Sequence, residues 1–130
     1  MTVALADTSI FLALEAGREL LPFRGALRIS IATVTELEIG VLMAHDPANR
    51  RLRTATLAGV RSYAPIPYDE PISAELARMM ADLRRAGRRV GLVDAIIAAT
   101  ALVNGLAVYT QDSDFEILRD HARGPEVVLG

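Results

Sequence analysis

Five acidic residues, Asp7, Glu36, Asp94, Asp112 and Asp114, fall at points where the chain pattern changes from one type of element to the next. Each has an ordinary structural role open to it. Asp7, Asp112 and Asp114 can cap helices, Asp94 can be a first-turn acid favoured by the helix dipole, and Glu36 can be a surface acid, as Glu38 is. Asp94 fits its ordinary role least well. Its neighbours Leu92, Val93, Ala95, Ile96 and Ile97 are all apolar, and no basic residue lies on its helix. An acid in that setting needs a partner. If several of these carboxylates converge, they repel one another, so either some protonate or a cation neutralises them. All-oxygen ligands favour a hard cation such as Mg²⁺ or Mn²⁺. A carboxylate site holding such an ion is a common solution for cutting phosphodiesters, because the metal polarises the phosphate and activates water.

Composition removes most rival chemistries. All 14 basic residues are arginine, so mechanisms that need a lysine are excluded, the Schiff base and the Walker phosphate loop among them. A phosphorylation-dependent receiver domain, also α/β with clustered aspartates, fails on the same ground. There is no cysteine, which excludes disulfides, zinc–thiolate sites and thiol catalysis. The two histidines, His45 and His121, sit in polar company near predicted helix ends, and a histidine-rich metal site is not supported. The net charge is −2, hydrophobic residues make up 52% and charged residues 23%, which together describe a folded domain with ample core.

The elements that must position the acids follow from the apolar pattern. Val3–Ala6 reads as a buried strand ending in Asp7-Thr8-Ser9, followed by a helix over Ile10–Leu21. Leu27–Ala32 reads as a second strand, after which Thr33 or Thr35 caps a helix running to about Met43. Asp46-Pro47 stops that helix and starts the next, over Ala48–Ser62. Ala64–Tyr68, with Pro65 and Pro67, is an edge or very short strand. Ile72–Arg85 is amphipathic and Leu92–Val103 nearly all apolar, hence buried against the sheet. Gly105 ends that helix. Ala107–Thr110 is a strand, Asp114–Arg119 a short helix and Val127–Leu129 a last strand.

Strands alternate with helices throughout, with no repeat or linker. The expected fold is a three-layer α/β/α domain with a mostly parallel sheet, one domain over residues 1–130. In such sheets ligands bind beyond the carboxyl ends of the strands, and all five acids are expected at that edge. Of the two late acids, Asp112 is expected to act directly and Asp114 to cap the following helix. Asp7 interrupts the apolar start and no basic segment precedes it, so no signal peptide is expected. No apolar run reaches membrane-spanning length, and a soluble cytoplasmic protein is the expectation. Arg84, Arg85, Arg88 and Arg89 precede Asp94. They serve either as a clamp on an RNA backbone or as a solvated helix end.

The segments Ala-Asp7-Thr-Ser, Thr-Glu36-Leu-Glu-Ile-Gly, Leu-Val-Asp94-Ala-Ile-Ile-Ala-Ala-Thr-Ala and Thr110-Gln-Asp112-Ser-Asp114-Phe115 occur in this order over nearly the whole chain. In order, spacing and length the chain resembles a PIN-domain protein, of the VapC type found as the toxin of bacterial toxin–antitoxin pairs. The resemblance implies a PIN-like fold, a Mg²⁺- or Mn²⁺-dependent endoribonuclease activity on RNA, a small antitoxin partner and a homodimer. It implies that Asp7, Glu36, Asp94 and Asp112 form the acidic quartet with Asp114 as a fifth acid. Asp7, Asp94 and Asp112 would be the metal ligands. Thr8, Ser9 and Thr110 would line the site. A PIN-like binding module without catalysis, or a nuclease for another single-stranded nucleic acid, are the alternatives.

Overall fold

A computed structural model describes residues 2–130. Four strands, β1 (Val3–Ala6), β2 (Ala26–Arg28), β3 (Ala107–Thr110) and β4 (Val127–Leu129), form one sheet in the order β2-β1-β3-β4, and every pairing is parallel. Among the described residues there are six helices: α1 (Thr8–Ala16), α2 (Ile31–Leu42), α3 (Pro47–Arg61), α4 (Glu70–Arg85), α5 (Leu92–Val103) and α6 (Asp114–Ala122). The expected three-layer α/β/α arrangement is what the chain adopts. Among the described residues, no helix is long and apolar enough to cross a membrane.

The two faces of the sheet carry separate cores, as the period-2 alternation of a strand requires. Ala4, Ala6 and Tyr109 pack with Ile10, Phe11, Val34, Leu37, Leu57 and Val60, so α1, α2 and α3 cover one face. Leu5 and Val108 point the other way, onto Ile72, Met79, Leu83, Ile97, Phe115 and Leu118 of α4, α5 and α6. Helix α5 is the most deeply set. Its Ala95, Ala98, Ala99 and Ala101 are fully buried, and their small side chains let its backbone lie close to its neighbours.

Connectivity sets where a ligand can go. From β1 the chain moves to β2 on one side and later to β3 on the other, so strand order reverses between β1 and β3. The crevice beyond the carboxyl ends of such a pair is the usual ligand site of an open parallel sheet. The backbone N–H of Asp7 still pairs with the carbonyl of Tyr109 (3.0 Å), which brings the ends of β1 and β3 side by side. Because α5 precedes β3 in a parallel sheet, its first turn lies at this same edge, as does the start of α2 after β2.

Several sequence expectations shift. The first helix starts at Thr8 and ends at Ala16, not Leu21, because Gly17 takes a left-handed conformation (φ 71°) whose N–H closes the last turn. The second strand covers only Ala26–Arg28. The β propensity of Ile29 and Ile31 is overridden when Ser30, fully buried, accepts from the N–H of Ala32 (3.0 Å) and starts α2. Ser30, rather than Thr33 or Thr35, is therefore the cap. The proline-containing segment makes a single bridge, Ile66 to Ser30. Asp46 and Pro47 start α3 as expected, and His45 and His121 are both exposed.

Ser30→Ala should lose about 1 kcal/mol of stability in urea unfolding, the size of a lost cap. Thr35→Ala, at an exposed site, should stay within about 0.5 kcal/mol of the parent. Equal effects of the two substitutions would contradict the cap assignment.

Candidate active site

All five sequence-selected acids come to the edge formed by the ends of β1 and β3 and the starts of α2, α5 and α6. One carboxylate oxygen each from Asp94, Asp112 and Asp114 lie within 4.8 Å of one another, and all three residues are half-buried. Asp7 and Glu36 stand outside that tight group but close enough for their charges to act on Asp94. Among the described residues, none of these five acids takes part in an ion pair. Glu38, by contrast, is a surface acid, paired with Arg61 (3.3 Å) between α2 and α3.

Asp7 follows directly from β1 and is 2% exposed. It occupies the cap position of α1, yet its side chain makes no capping bond. It accepts instead from Ser9 Oγ (2.6 Å). Ser9 in turn receives the N–H of Gln111 (2.9 Å) and lies 3.3 Å from Thr110 Oγ1. Thr110, fully buried at the end of β3, receives the N–H of Asp112 (2.8 Å). Thr8 donates to Glu36 Oε1 and lies 3.2 Å from the buried hydroxyl of Thr33. A hydroxyl carries one proton, so when Thr8 gives its proton to Glu36 it accepts from Thr33. The hydroxyls of Thr8, Ser9 and Thr110, the three supporting residues expected from sequence, thus tie the carboxylates to the backbone of two strands and one helix.

Thr33 was missed as part of this web because it was considered only as a cap. The available signal was its position three residues before Glu36, which puts both on one face of a helix.

The capping role expected of Asp114 needs correction. Asp114 does not cap α6 with its side chain. It is the first helical residue, and its N–H is held by Asp112 Oδ1 (2.9 Å), with Ser113 in the cap position. The two-residue reach from Asp112 back to the N–H of Asp114 is the local bond that aspartate makes readily. Asp112 therefore carries the turn, and the Asp114 side chain accepts no hydrogen bond among the described residues.

Electrostatics follows from burial and crowding. Burial, then the charges of Asp112, Glu36, Asp7 and Asp114, push the Asp94 carboxyl up to about 7. Burial raises Asp7 to about 6 against the hydrogen bonds from Ser9 and Thr110, which favour its charged form. Asp114 is raised by burial and by Asp112. Three oxygens so close together, without a basic side chain, suit a hard divalent cation.

The four arginines expected near Asp94 separate into two groups. Arg85 is drawn to Asp82 (3.2 Å). Arg84, Arg88 and Arg89 are exposed and line an open cleft of about 550 Å³ formed by the end of α4 and the turn that follows it.

Comparison with known proteins gives one consistent answer. The sequence model described as the PIN domain matches residues 4–120. Ribonuclease VapC4 of Mycobacterium tuberculosis is 43% identical over 122 residues, covering 90% of this chain and 92% of the relative. Ribonuclease VapC8 of the same species is 45% identical over 101 residues, covering 76% and 90%. Among solved structures, a crystal structure of VapBC-5 from Mycobacterium tuberculosis, a member of the VapBC family of toxin–antitoxin systems, superposes with a TM-score of 0.83 at 35% identity, over 99% of this chain and 98% of that one.

Two measurements on metal-free protein test this account of the site. An acid whose folded pKa lies above its unfolded value of 3.8 adds no cost at low pH. The cost appears as pH rises past that value and is complete above about 7 for Asp94. Asp94→Asn should therefore melt several °C above the parent at pH 8, with the gap vanishing near pH 4. A variant no more stable than the parent at pH 8 would refute the crowding. At position 112, Asn keeps an acceptor oxygen and Ala does not, so Asp112→Ala should be about 1 kcal/mol less stable than Asp112→Asn in urea unfolding. The same pair at position 114 should differ by less than about 0.5 kcal/mol, and a larger gap there than at 112 would restore the role first expected of Asp114.

Proposed function

The chain belongs to the PIN-domain family, and from that premise we propose that it is a divalent-metal-dependent endoribonuclease acting as the toxin of a toxin–antitoxin pair. The observation that carries the reading is the convergence of Asp94, Asp112 and Asp114 within 4.8 Å at the switch point of the sheet, none of them in an ion pair among the described residues. The relatives named as ribonucleases, and the VapBC complex with the same fold, supply the activity and the partner that this arrangement suits. Residues 1–130 act as one nuclease domain. A nuclease working on cellular RNA belongs in the cytoplasm, and the pairing of two copies is expected from the family.

In this reading Asp94 and Asp112 hold Mg²⁺ or Mn²⁺ together with Asp7 or Asp114, and the bound ion supplies Lewis-acid stabilisation of the scissile phosphate. The remaining work belongs to the chain. Glu36, fixed by Thr8 and Thr33, and the members of the acid group free of metal accept a proton from the attacking water. Thr8 and Ser9 hold the carboxylates of Glu36 and Asp7 in place, and Thr110 holds the Asp112 backbone. A small antitoxin fits the site best if it presents an arginine or lysine to the acids.

Cleavage of a single-stranded RNA should require Mg²⁺ or Mn²⁺, and Asp94→Asn should slow it at least ~100-fold, the scale of a lost transition-state stabiliser. Saturating Mn²⁺ at ~100 times its Kd should add about 2.7 kcal/mol of stability at pH 8. Expression of the parent without an antitoxin should arrest growth, and expression of Asp94→Asn should not. A parent protein that neither gains stability with Mn²⁺ nor cuts RNA is a binding module instead, and one that cuts only single-stranded DNA has a different substrate.

A further inference from the structure

The acid cluster can hold a cation and one phosphate, but it offers nothing positive to the rest of a nucleic-acid strand. The nearest basic surface along the chain is the turn joining α4 to α5. Helix α4 closes at Gly87, which adopts a left-handed conformation (φ 67°) and donates to the carbonyl of Arg84 (3.1 Å), while the N–H of Arg88 returns to the carbonyl of Leu83 (2.9 Å). Both bonds belong to the closed helix ending that glycine permits, so the turn has a fixed backbone. It folds over an apolar floor of Met80, Leu83 and Val90, with Leu83 only 1% exposed. Around that floor stand Arg84, Arg88 and Arg89, all exposed and, among the described residues, in no ion pair. Other arginines on the same helix are engaged: Arg78 binds Glu75, Asp82 and the carbonyls of Ala122 and Arg123, and Arg85 is tied to Asp82.

Position adds a second argument. The turn leads directly into the first turn of α5, which carries Asp94, so it lies at the same edge of the sheet as the acids. From Arg89 to Asp94 the chain can span at most ~18 Å. That is about five stacked nucleotides, at roughly 3.4 Å each along one strand. No aromatic side chain lines the cleft, so it lacks the stacking surfaces that read or hold bases. Its chemistry is that of guanidinium groups, which take phosphate oxygens in pairs.

We propose that the cleft formed by Arg84, Arg88 and Arg89 binds the phosphate backbone of the single-stranded RNA next to the bond to be cut, without regard to base sequence. The proposal rests on the ribonuclease reading for the identity of the strand. It separates the four arginines by role: Arg84, Arg88 and Arg89 contact phosphates, while Arg85 belongs to the ion-pair network of Asp82.

The test is the salt dependence of binding, which needs no cleavage. A fluorescently labelled 12-nucleotide single-stranded RNA is titrated with the full chain in EDTA, by anisotropy, between 50 and 200 mM KCl. For single strands each neutralised phosphate contributes about 0.7 to the slope of log K against log salt. The triple variant Arg84→Gln, Arg88→Gln, Arg89→Gln should therefore lose about 2 from that slope and bind at least ~10-fold more weakly at 50 mM. Arg85→Gln should keep the parent's slope. If the triple variant fails to fold, each single substitution should still remove about 0.7. An unchanged slope in folded variants, equal loss from Arg85→Gln, or no binding by the parent at 50 mM overturns the proposal. So does displacement of the RNA by a glutamate 12-mer as effectively as by unlabelled RNA, which would assign the cleft to an acidic protein segment. Cleavage by the parent in Mn²⁺ is scored separately. Arginine-dependent binding without cleavage keeps the cleft and removes the ribonuclease reading, and cleavage with arginine-independent binding does the reverse.

Discussion

Like charges a few ångströms apart repel by about 4 kcal/mol at the effective dielectric of a protein surface. This fold holds three carboxylates inside that range and two more beside them, none of the five in an ion pair among the described residues. Much of the structure can be understood as the means of keeping them there. The acids sit on four separate segments, so no local rearrangement of one segment relieves the repulsion. Each segment is anchored by apolar packing on one or the other face of the sheet, and both cores would have to be disturbed to spread the acids apart. What remains is protonation, expressed in the raised Asp94 and Asp7 carboxyls, or a cation.

Hydroxyls manage what the apolar packing cannot. An acid as buried as Asp7 needs a hydrogen-bond donor, and an arginine in that place would satisfy it while cancelling the charge that makes the site useful. Ser9, Thr8, Thr33 and Thr110 donate without adding positive charge. They also join the end of β1 to the end of β3 and to α2, so the carboxylates are placed relative to backbone. Asp112 is held between the hydroxyl that receives its own N–H and the Asp114 N–H that its side chain accepts. That bond makes Asp112 part of the turn as well as part of the acid group, a double role that a residue with a free side chain, such as Asp114, does not have.

The arginines are distributed as the acids require. Several have structural duties: Arg53 donates to the Gly40 carbonyl (2.7 Å) between α3 and α2, Arg61 meets Glu38, and Arg78 ties α4 to the end of α6. Those without acid partners on α4 gather at the α4–α5 turn, next to the negative edge but in no ion pair with it. A nucleic-acid strand carries negative charge along its whole length, so an enzyme that keeps its catalytic edge acidic gains from a cationic surface a few nucleotides away.

The sequence by itself determined the order of elements, the parallel three-layer fold and the set of acids. These depend on local signals, namely apolar runs of strand length, the all-apolar 92–103 helix with one acid in its first turn, and the Asp46-Pro47 start, and the rule linking strand ends to ligands does the rest. What the sequence left open is where non-local contacts compete with local preference. Ile29 and Ile31 favour a strand, yet the bridge to Ile66 and the buried cap at Ser30 turn the chain into α2 before the expected caps at Thr33 or Thr35. Thr33 reads as a cap and becomes a buried partner of Thr8, 25 residues away. Asp112 and Asp114 are equivalent in sequence until Thr110 and the start of α6 fix which of them bonds the backbone. The arginines at 84, 85, 88 and 89 are likewise alike in sequence, and Asp82 draws in only Arg85. Sequence spacing names the residues that reach an edge of the sheet. Their division of labour depends on distances between segments far apart in the chain, and only folding sets those.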